Sequence, residues 1–291
     1  MSSPDPRSNP DDFCYRHPDR QSFVLCQRCL RTICHECQTP MPVGVICPEC
    51  LGEQKKEQRA TNVRRMPKRI MRRASGDRPV ATYAILIVTV ALFLVGLIPG
   101  IGGEVRGFLA FNSIFTFPGH PFYPLEPWRI VTAIFVHSGI WHVALNMLAL
   151  WALGRSLEPL LGRGRFLALY LLSAVGGSAL VALLAPGVTV VGASGAVWGL
   201  LGAMLIIGRN LGVNVFPILV LLGINLVISF LPGAGISWQA HIGGGLVGLL
   251  IGWIFSRTRA VRQQRTQILL LSGVGVLLLA LIFGVAPIVY G

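Results

Sequence analysis

The sequence predicts an all-α polytopic membrane protein that carries a small separate domain at its N-terminus. Charged residues make up 13% of the 291 residues, about half of the roughly 25% that is usual in soluble domains. Hydrophobic residues make up 53%, which excludes a disordered chain. All seven cysteines lie between Cys14 and Cys50, and the last lysine is Lys68. The chain therefore divides into a small polar domain, a basic linker and a long apolar body.

Residues 1–54, the N-terminal domain, contain eight candidate metal ligands in four closely spaced pairs. The pairs are Cys14 and His17, Cys26 and Cys29, Cys34 and Cys37, and Cys47 and Cys50. Such spacing is typical of tetrahedral zinc sites, so the sequence predicts two structural zinc ions. Disulfides are the alternative, which an odd cysteine count and a cytoplasmic location disfavour. Zinc with four protein ligands has no open position, so we expect no catalytic role for it.

Spacing alone leaves open which pairs share an ion. Either two neighbouring pairs hold each ion, or the first and third pairs hold one ion and the second and fourth pairs hold the other. His35 is a surplus ligand candidate. A domain of about 50 residues has a small core, so bound metal is expected to supply folding energy. The role of the domain is expected to be structural, or the binding of a cytoplasmic protein partner.

Residues 55–79 form a basic juxtamembrane linker. Ten of the 25 basic residues lie between Lys55 and Arg78. A basic cluster beside an apolar span is attracted to anionic lipid head groups and keeps the N-terminal side of the first helix in the cytoplasm. We therefore assign the net charge of +13 to contact with the lipid bilayer and expect no nucleic-acid partner. The polar, cysteine-rich N-terminus predicts no secretory signal peptide.

Seven apolar segments of the body are candidate transmembrane helices, which need about 20 apolar residues each. They lie at about 80–98, 139–157, 166–185, 193–208, 212–230, 238–256 and 267–289. Eight arginines fall in or beside the connections predicted to be cytoplasmic, and two fall in the outer ones. This distribution predicts a multi-pass protein of the plasma membrane, with a cytoplasmic N-terminus and an extracytoplasmic C-terminus. Residues 257–291 then comprise a cytoplasmic basic loop and the seventh helix.

Polar side chains inside these spans are few, and each is a functional candidate because it is costly in lipid. His142, Ser194 and His241 lie near the outer ends of the second, fourth and sixth spans, at similar depth. No carboxylate lies inside a predicted span. This disfavours a proton-coupled transporter, and it prevents a Ser–His–Asp triad from being assembled within the membrane.

Ser194 opens the fourth span, where free backbone N–H groups can bind a developing oxyanion. Small residues repeat every four positions on two spans, Gly195, Gly199 and Ala203 on the fourth and Gly244, Gly248 and Gly252 on the sixth. Small-residue faces let two helix backbones approach closely. Close approach is what a hydrogen bond between Ser194 and His241 requires, although a buried structural histidine is the alternative.

His142 and Asn146 are four residues apart and therefore share a helix face. Both carry hydrogen-bond donors, so they are candidates for oxyanion stabilisation; a polar contact between helices is the alternative. A metal site formed by His137, His142 and His241 is a further alternative, which the lack of a nearby carboxylate disfavours.

Together these motifs resemble those of the rhomboid intramembrane serine proteases. The matching positions are Trp128-Arg129, His137, His142-x-x-x-Asn146, Gly192-x-Ser194-Gly195 and Ala240-His241-x-x-Gly244-x-x-x-Gly248. The resemblance covers residues 80–256, the six-helix core, and the seventh span is similar to the six-plus-one arrangement of part of the family. It implies that Trp128 and Arg129 anchor the first outer loop in the membrane interface.

The resemblance further implies a serine endopeptidase that uses a Ser–His dyad. Ser194 is the implied nucleophile and His241 the general base, while the Ser194 backbone N–H, His142 and Asn146 stabilise the oxyanion. One position departs from the family pattern, because Trp198 stands where a tyrosine often stacks on the catalytic histidine. The alternative function is a non-catalytic rhomboid-like protein that binds client helices, but such relatives usually lose the dyad.

The implied substrates are transmembrane proteins with helix-breaking residues near the outer interface, since a helical peptide bond must unwind before hydrolysis. Span 5 contains Pro217 and Gly223, and we hypothesise that it is a pliable lateral gate beside span 2.

The N-terminal spacing resembles a B-box-type zinc finger, which implies crossed pairing of the ligands. One ion is then held by Cys14, His17, Cys34 and Cys37, and the other by Cys26, Cys29, Cys47 and Cys50.

Overall fold

The computed structural model describes residues 9–64, 78–231 and 235–290. The chain divides into two compact units, residues 1–68 and residues 69–291. Most of the predicted basic linker, residues 65–77, lies outside the described residues. The first residues of that linker belong to a helix of the N-terminal unit, α1 (Pro48–Arg64).

The N-terminal unit contains two small antiparallel hairpins before α1. They pair β1 (Phe13–Cys14) with β2 (His17–Gln21) and β3 (Thr39–Pro40) with β4 (Val45–Ile46). Its buried core consists of cysteine side chains together with Ile33 and Ile46. Because so little apolar side chain is buried, the sulfur-rich centre is the main feature that this unit can fold around.

The second unit, the membrane body, is built mainly of helices joined by loops. Its helices are α2 (Val80–Val95), α3 (Gly102–Leu109), α4 (Arg129–Thr132), α5 (Ile140–Leu161), α6 (Arg163–Leu184), α7 (Ser194–Asn210), α8 (Phe216–Ser229), α9 (Trp238–Arg257) and α10 (Gln264–Tyr290). Each predicted apolar segment contains one long helix, namely α2 or one of α5 to α10. The prediction of an all-α polytopic fold with six core helices and a seventh C-terminal helix is confirmed.

Three segments of the described body are each long and apolar enough to cross a membrane, and they are Arg163–Leu184, Trp238–Arg257 and Val261–Tyr290. A fourth crossing follows if Arg129–Phe135 and Ile140–Leu161, which meet at 96°, are one broken span. Helices α2 and α8 are shorter apolar helices. The body therefore combines full-length spans with short helices.

Glycine faces bring α7 and α9 into backbone contact. A Cβ atom added at Gly244 would lie 1.9 Å from the carbonyl oxygen of Gly195, and one at Gly248 would lie 2.0 Å from that of Gly199. No side chain can occupy either position without the helices moving apart. The predicted small-residue faces on these two helices are therefore confirmed.

Helix α6 completes a tightly packed group of three. A Cβ atom at Gly243 of α9 would lie 2.3 Å from the carbonyl oxygen of Gly176 of α6. A Cβ atom added at Gly199 of α7 would lie 2.0 Å from the Ser173 hydroxyl oxygen of α6, so α6 also packs closely on α7. The three helices thus fix one another at backbone distance, which makes them a rigid support for any side chain they carry.

A buried carboxylate joins α5 to the start of α2. Glu158 is 2% exposed and accepts hydrogen bonds from the backbone N–H groups of Ala81 (2.8 Å) and Thr82 (2.7 Å), and from the Thr82 hydroxyl (2.7 Å). It therefore caps free N–H groups at an N-terminus. The helix continues to Leu161, four residues beyond the approximate end predicted for the second span, and includes this carboxylate. Sixteen residues, or about 24 Å of helix, separate Glu158 from His142, so the carboxylate cannot complete a catalytic triad there.

Arg129 organises the first long loop from within. It is 5% exposed, forms an ion pair with Glu126 and donates a hydrogen bond to the Ala110 carbonyl at 2.9 Å. Its guanidinium also lies 4.0 Å from the centre of the Phe115 ring. A buried guanidinium with these partners holds the loop together internally. Trp128 is exposed, which leaves its indole available for the interfacial contact that the family resemblance implies.

Helix α10 is fixed to the body at both of its ends. Near its start, the Gln267 amide bonds to the Thr258 hydroxyl at 2.6 Å and accepts from Arg165 at 2.7 Å. At its far end, the hydroxyls of Tyr290 and Ser113 are 2.9 Å apart. The seventh helix therefore runs the length of the body, as a spanning helix must.

Candidate active site

The candidate nucleophile Ser194 is the first residue of α7 and is half-buried. The preceding loop reaches it through Gly192, whose φ of +114° strongly favours glycine. A Cβ atom at this position would also lie 2.5 Å from Nε2 of His142. Glycine is thus required by the backbone conformation and by the imidazole beside it. Ser194 therefore lies at a helix N-terminus, as predicted, where backbone N–H groups are free.

A second histidine supports the loop just before Ser194. The backbone N–H of Ala193 donates to Nε2 of His137 at 3.3 Å, and His137 is 1% exposed. The backbone N–H of Gly192 donates to the Ala133 carbonyl at 2.9 Å. These contacts hold the two residues that precede Ser194.

His142 faces this loop from the first turn of α5. Its Nδ1 lies 2.9 Å from the Ser138 hydroxyl, and its Nε2 is the ring atom nearest to the position of a Cβ on Gly192. If the Ser138 hydroxyl donates to Nδ1, Nε2 carries the proton and is a donor towards the start of α7. The side-chain amide of Asn146, one turn along, donates one hydrogen bond to the His142 carbonyl at 2.8 Å and has a second N–H group.

His241 is the fourth residue of α9 and is 7% exposed. Its ring stacks on the Trp198 indole, with 5.0 Å between ring centres and 18° between planes. Trp198 is four residues after Ser194 and so lies on the same face of α7. Since α9 also meets α7 at Gly195, the imidazole lies over the first turn of α7. The tryptophan at this position therefore stacks on the histidine as an aromatic residue there is expected to do.

Two serines contact these histidines and were not among the sequence candidates. They are Ser138, beside His142, and Ser229, whose hydroxyl lies 2.9 Å from Nδ1 of His241. Serines are common at helix ends, so their presence in the sequence carried no specific signal. Only the packing of α8 against α9 shows that Ser229 reaches the imidazole.

In the part of the chain that the structure describes, His137, His142 and His241 do not gather into a metal site. The rings of His137 and His142 are 4.9 Å apart, but the clusters of metal-ligating side chains found in the described ranges both lie in the N-terminal domain. The alternative of a metal at this site in the body is therefore not supported.

The N-terminal domain contains two clusters with the donor sets of zinc sites. They are Cys14, His17, Cys34 and Cys37, and Cys26, Cys29, Cys47 and Cys50, and the ligand atoms of each cluster lie within 4.8 Å of one another. This grouping is the crossed arrangement. The surplus candidate, His35, is exposed and belongs to neither cluster.

The distances inside these clusters fit a tetrahedral ion. Tetrahedral bonds of about 2.3 Å to sulfur and 2.0 Å to nitrogen require neighbouring ligand atoms about 3.5–3.8 Å apart. The Sγ atoms of Cys34 and Cys37 lie 3.4 and 3.5 Å from Nδ1 of His17, and those of Cys29 and Cys47 are 3.8 Å apart. The residues present therefore fit two zinc ions without rearrangement.

Backbone hydrogen bonds favour the thiolate form of two of these cysteines. Burial acts to raise the pKa of Cys14, but backbone hydrogen bonds from Cys34 and Arg16 outweigh it and bring the pKa to about 6. The pKa of Cys26 is also lowered to about 6, because backbone hydrogen bonds from Cys29 and Cys47 outweigh burial. Thiolates are the form of cysteine that binds metal.

Comparison with known proteins identifies the family of the membrane body. Residues 124–258, which include all four predicted catalytic positions, match the Rhomboid domain family. The membrane body therefore contains a Rhomboid domain. The match extends from the loop that Arg129 organises to the end of α9.

Rhomboid relatives from bacteria, fungi and plants are similar to this chain. Rhomboid protease GluP of Bacillus subtilis is 33% identical over 192 residues, which are 62% of this chain and 34% of the relative. Rhomboid protein 1, mitochondrial, of Saccharomyces cerevisiae is 30% identical over 210 residues, 66% of this chain and 57% of the relative. RHOMBOID-like protein 1 of Arabidopsis thaliana is 39% identical over 137 residues, 45% of this chain and 35% of the relative. The chain thus spans from about a third to just over half of the length of these relatives.

Proposed function

We propose that the rhomboid body is a serine endopeptidase that hydrolyses peptide bonds in or near the transmembrane segments of membrane proteins. The observation that carries this proposal is the position of His241, which stacks on Trp198 one helical turn from Ser194. The two helices that bear these residues touch backbone to backbone, which supports a Ser194–His241 pair held at the close and fixed distance that nucleophilic catalysis needs.

The proposed reaction uses only side chains and backbone groups of this site. His241 takes the proton from the Ser194 hydroxyl while the oxygen attacks the substrate carbonyl carbon. The resulting oxyanion is stabilised by the Ser194 backbone N–H, by His142 and by Asn146. The protonated His241 then gives its proton to the leaving amine, which leaves an acyl ester on Ser194. Water deprotonated by His241 hydrolyses that ester and restores the hydroxyl.

Substrate entry is proposed to involve α8. Apart from Ser229, the side chains of α8 are at least partly exposed, and the helix is short. A helix with few buried side chains has low local stability. Elements that move during function need such low stability. A cross-link between α5 and α8 is expected to abolish cleavage of membrane substrates, and undiminished cleavage would contradict this role.

The protein is proposed to lie in the plasma membrane with its N-terminus in the cytoplasm and its C-terminus outside. The support is the basic segment before α2 and the excess of arginines in one set of connections. A relative in yeast is named as mitochondrial, so fractionation of cells that express the chain tests the location directly.

The N-terminal domain is proposed to bind two structural zinc ions in the crossed arrangement. The support is the donor set and spacing of its two Cys/His clusters. Zinc bound there would supply folding energy to a domain whose core is largely sulfur. A cytoplasmic protein partner of this domain is a prediction from the sequence alone.

Labelling with a fluorophosphonate, which reacts with activated serines, tests the proposed enzyme. We expect wild-type protein in detergent to be labelled, and Ser194→Ala and His241→Ala to be unlabelled. Ser256→Ala is the matched control, because Ser256 lies at the far end of α9 and its hydroxyl bonds to the Gly252 carbonyl of its own helix. Well-folded wild type that is not labelled would contradict the proposal and favour a protein that binds client helices without cleaving them.

A further inference from the structure

Ser229 is an unusual residue within α8. It is the last residue of that helix and is 5% exposed, whereas the other described side chains of α8 are partly or fully exposed. The hydroxyl of Ser229 lies 2.9 Å from Nδ1 of His241 on α9. The next residue, Phe230, packs on Trp238 with 5.3 Å between ring centres. The end of α8 is therefore held against the first turn of α9, where the candidate base is located.

The hydrogen bonds of Ser229 determine where the proton of His241 lies. The Ser229 hydroxyl also lies 2.7 Å from the Asn225 carbonyl oxygen, which can only accept. A serine hydroxyl has one hydrogen, so it donates to Asn225 when both contacts are hydrogen bonds. The Ser229 oxygen must then accept from His241, which places the imidazole proton on Nδ1.

We infer that Ser229 is a positioning residue that holds His241 in the tautomer with its proton on Nδ1 and its lone pair on Nε2. A general base needs this lone pair to take the proton of a nucleophile. The catalytic meaning of the inference rests on the proposed function, whereas the tautomer is a property of the folded chain by itself.

The site has a specific need for such a group. In serine proteases with a triad, a buried aspartate accepts from Nδ1 and fixes the tautomer and orientation of the histidine. The one carboxylate inside α5, Glu158, is committed to the start of α2. The Trp198 indole fixes the plane of the His241 ring by stacking, but stacking does not select a tautomer. Ser229 supplies the acceptor that selects it, with a neutral hydroxyl in the place of a charge.

The test compares Ser229→Ala, Ser229→Thr and Ser256→Ala. The readouts are the rate of fluorophosphonate labelling, separated into its maximal rate and its half-saturating concentration, and the ¹⁵N NMR signals of the His241 ring. The His241 signals are assigned by their loss in His241→Gln. Ser256→Ala removes a hydroxyl that also bonds to the carbonyl four residues back, and it therefore controls for loss of that intrahelical bond.

For Ser229→Ala we expect the maximal labelling rate to fall about 5- to 10-fold, the size of one neutral hydrogen bond, at an unchanged half-saturating concentration. We expect its His241 signals to show a mixture of tautomers. Ser229→Thr restores a hydroxyl and is expected to restore both readouts, and Ser256→Ala to leave both unchanged. Wild-type labelling and a retained Nδ1–H tautomer in Ser229→Ala would overturn the inference. Absence of labelling in wild type would overturn the proposed function instead, and the NMR signals would then decide the tautomer alone.

Discussion

Replacing Gly244 by alanine tests whether backbone contact between α7 and α9 sets the geometry of the dyad. The added Cβ would lie 1.9 Å from the Gly195 carbonyl oxygen, which is about 1.5 Å short of van der Waals contact. Neither partner is a flexible side chain, so the two helices must separate by roughly that distance. A displacement of about 1 Å in a catalytic group costs about 100-fold in rate. We therefore expect Gly244→Ala to lower the rate of fluorophosphonate labelling by about 100-fold or more.

The matched control is Gly273→Ala in α10, where a Cβ would meet nothing within 4 Å. Both substitutions raise helix propensity by about 1 kcal/mol, so they differ in what the methyl group meets. The assay is the labelling rate of protein that elutes as a single species, with thermal unfolding measured in parallel. A Gly244→Ala protein that is folded and labelled at the wild-type rate would refute the argument from helix contact.

Three further predictions concern other parts of the chain. Glu158→Gln replaces a carboxylate that accepts three hydrogen bonds by an amide with a single acceptor oxygen, and is expected to cost about 2–4 kcal/mol, measured by unfolding in detergent; an unchanged midpoint would contradict the capping role. Trp198→Ala is expected to slow labelling by about 10-fold because His241 loses its stacking partner, with Trp198→Tyr close to wild type; equal rates for both variants would contradict it. Elemental analysis is expected to find two zinc ions per chain and one in Cys26→Ser, and chelation is expected to unfold the N-terminal domain; a metal-free folded domain would contradict this.

The helices of the body were predictable because long apolar runs have few other structures in a membrane. The contact of α7 with α9 was predictable for a related reason, since glycines repeating every four residues leave one smooth face on each helix. The pairing of Ser194 with His241 was proposed from that contact, because it limits where a hydroxyl and an imidazole at the same depth can meet. The crossed grouping of the cysteines was open from spacing alone, and the fold of the two hairpins decides it.

What the sequence did not predict depends on how segments end and meet. Glu158 lies one residue beyond the predicted end of its span, because apolar composition locates a helix end poorly where the helix continues into polar residues. Ser229 lies at the end of α8 and contacts His241 only through tertiary packing, which no periodicity of its own segment indicates. The burial of Arg129 likewise depends on the Gly107 and Ala110 carbonyls, about twenty residues earlier in the chain, as well as on its neighbour Glu126.

The central claim is that this rhomboid body holds an activated Ser194–His241 dyad, and the most direct measurement is the position of the covalent bond that a fluorophosphonate forms. Mass spectrometry of digested, labelled wild type is predicted to find one adduct, on the peptide that contains Ser194, with none in His241→Ala or in heat-denatured protein. An adduct on another serine, or none on folded wild type, would contradict the claim.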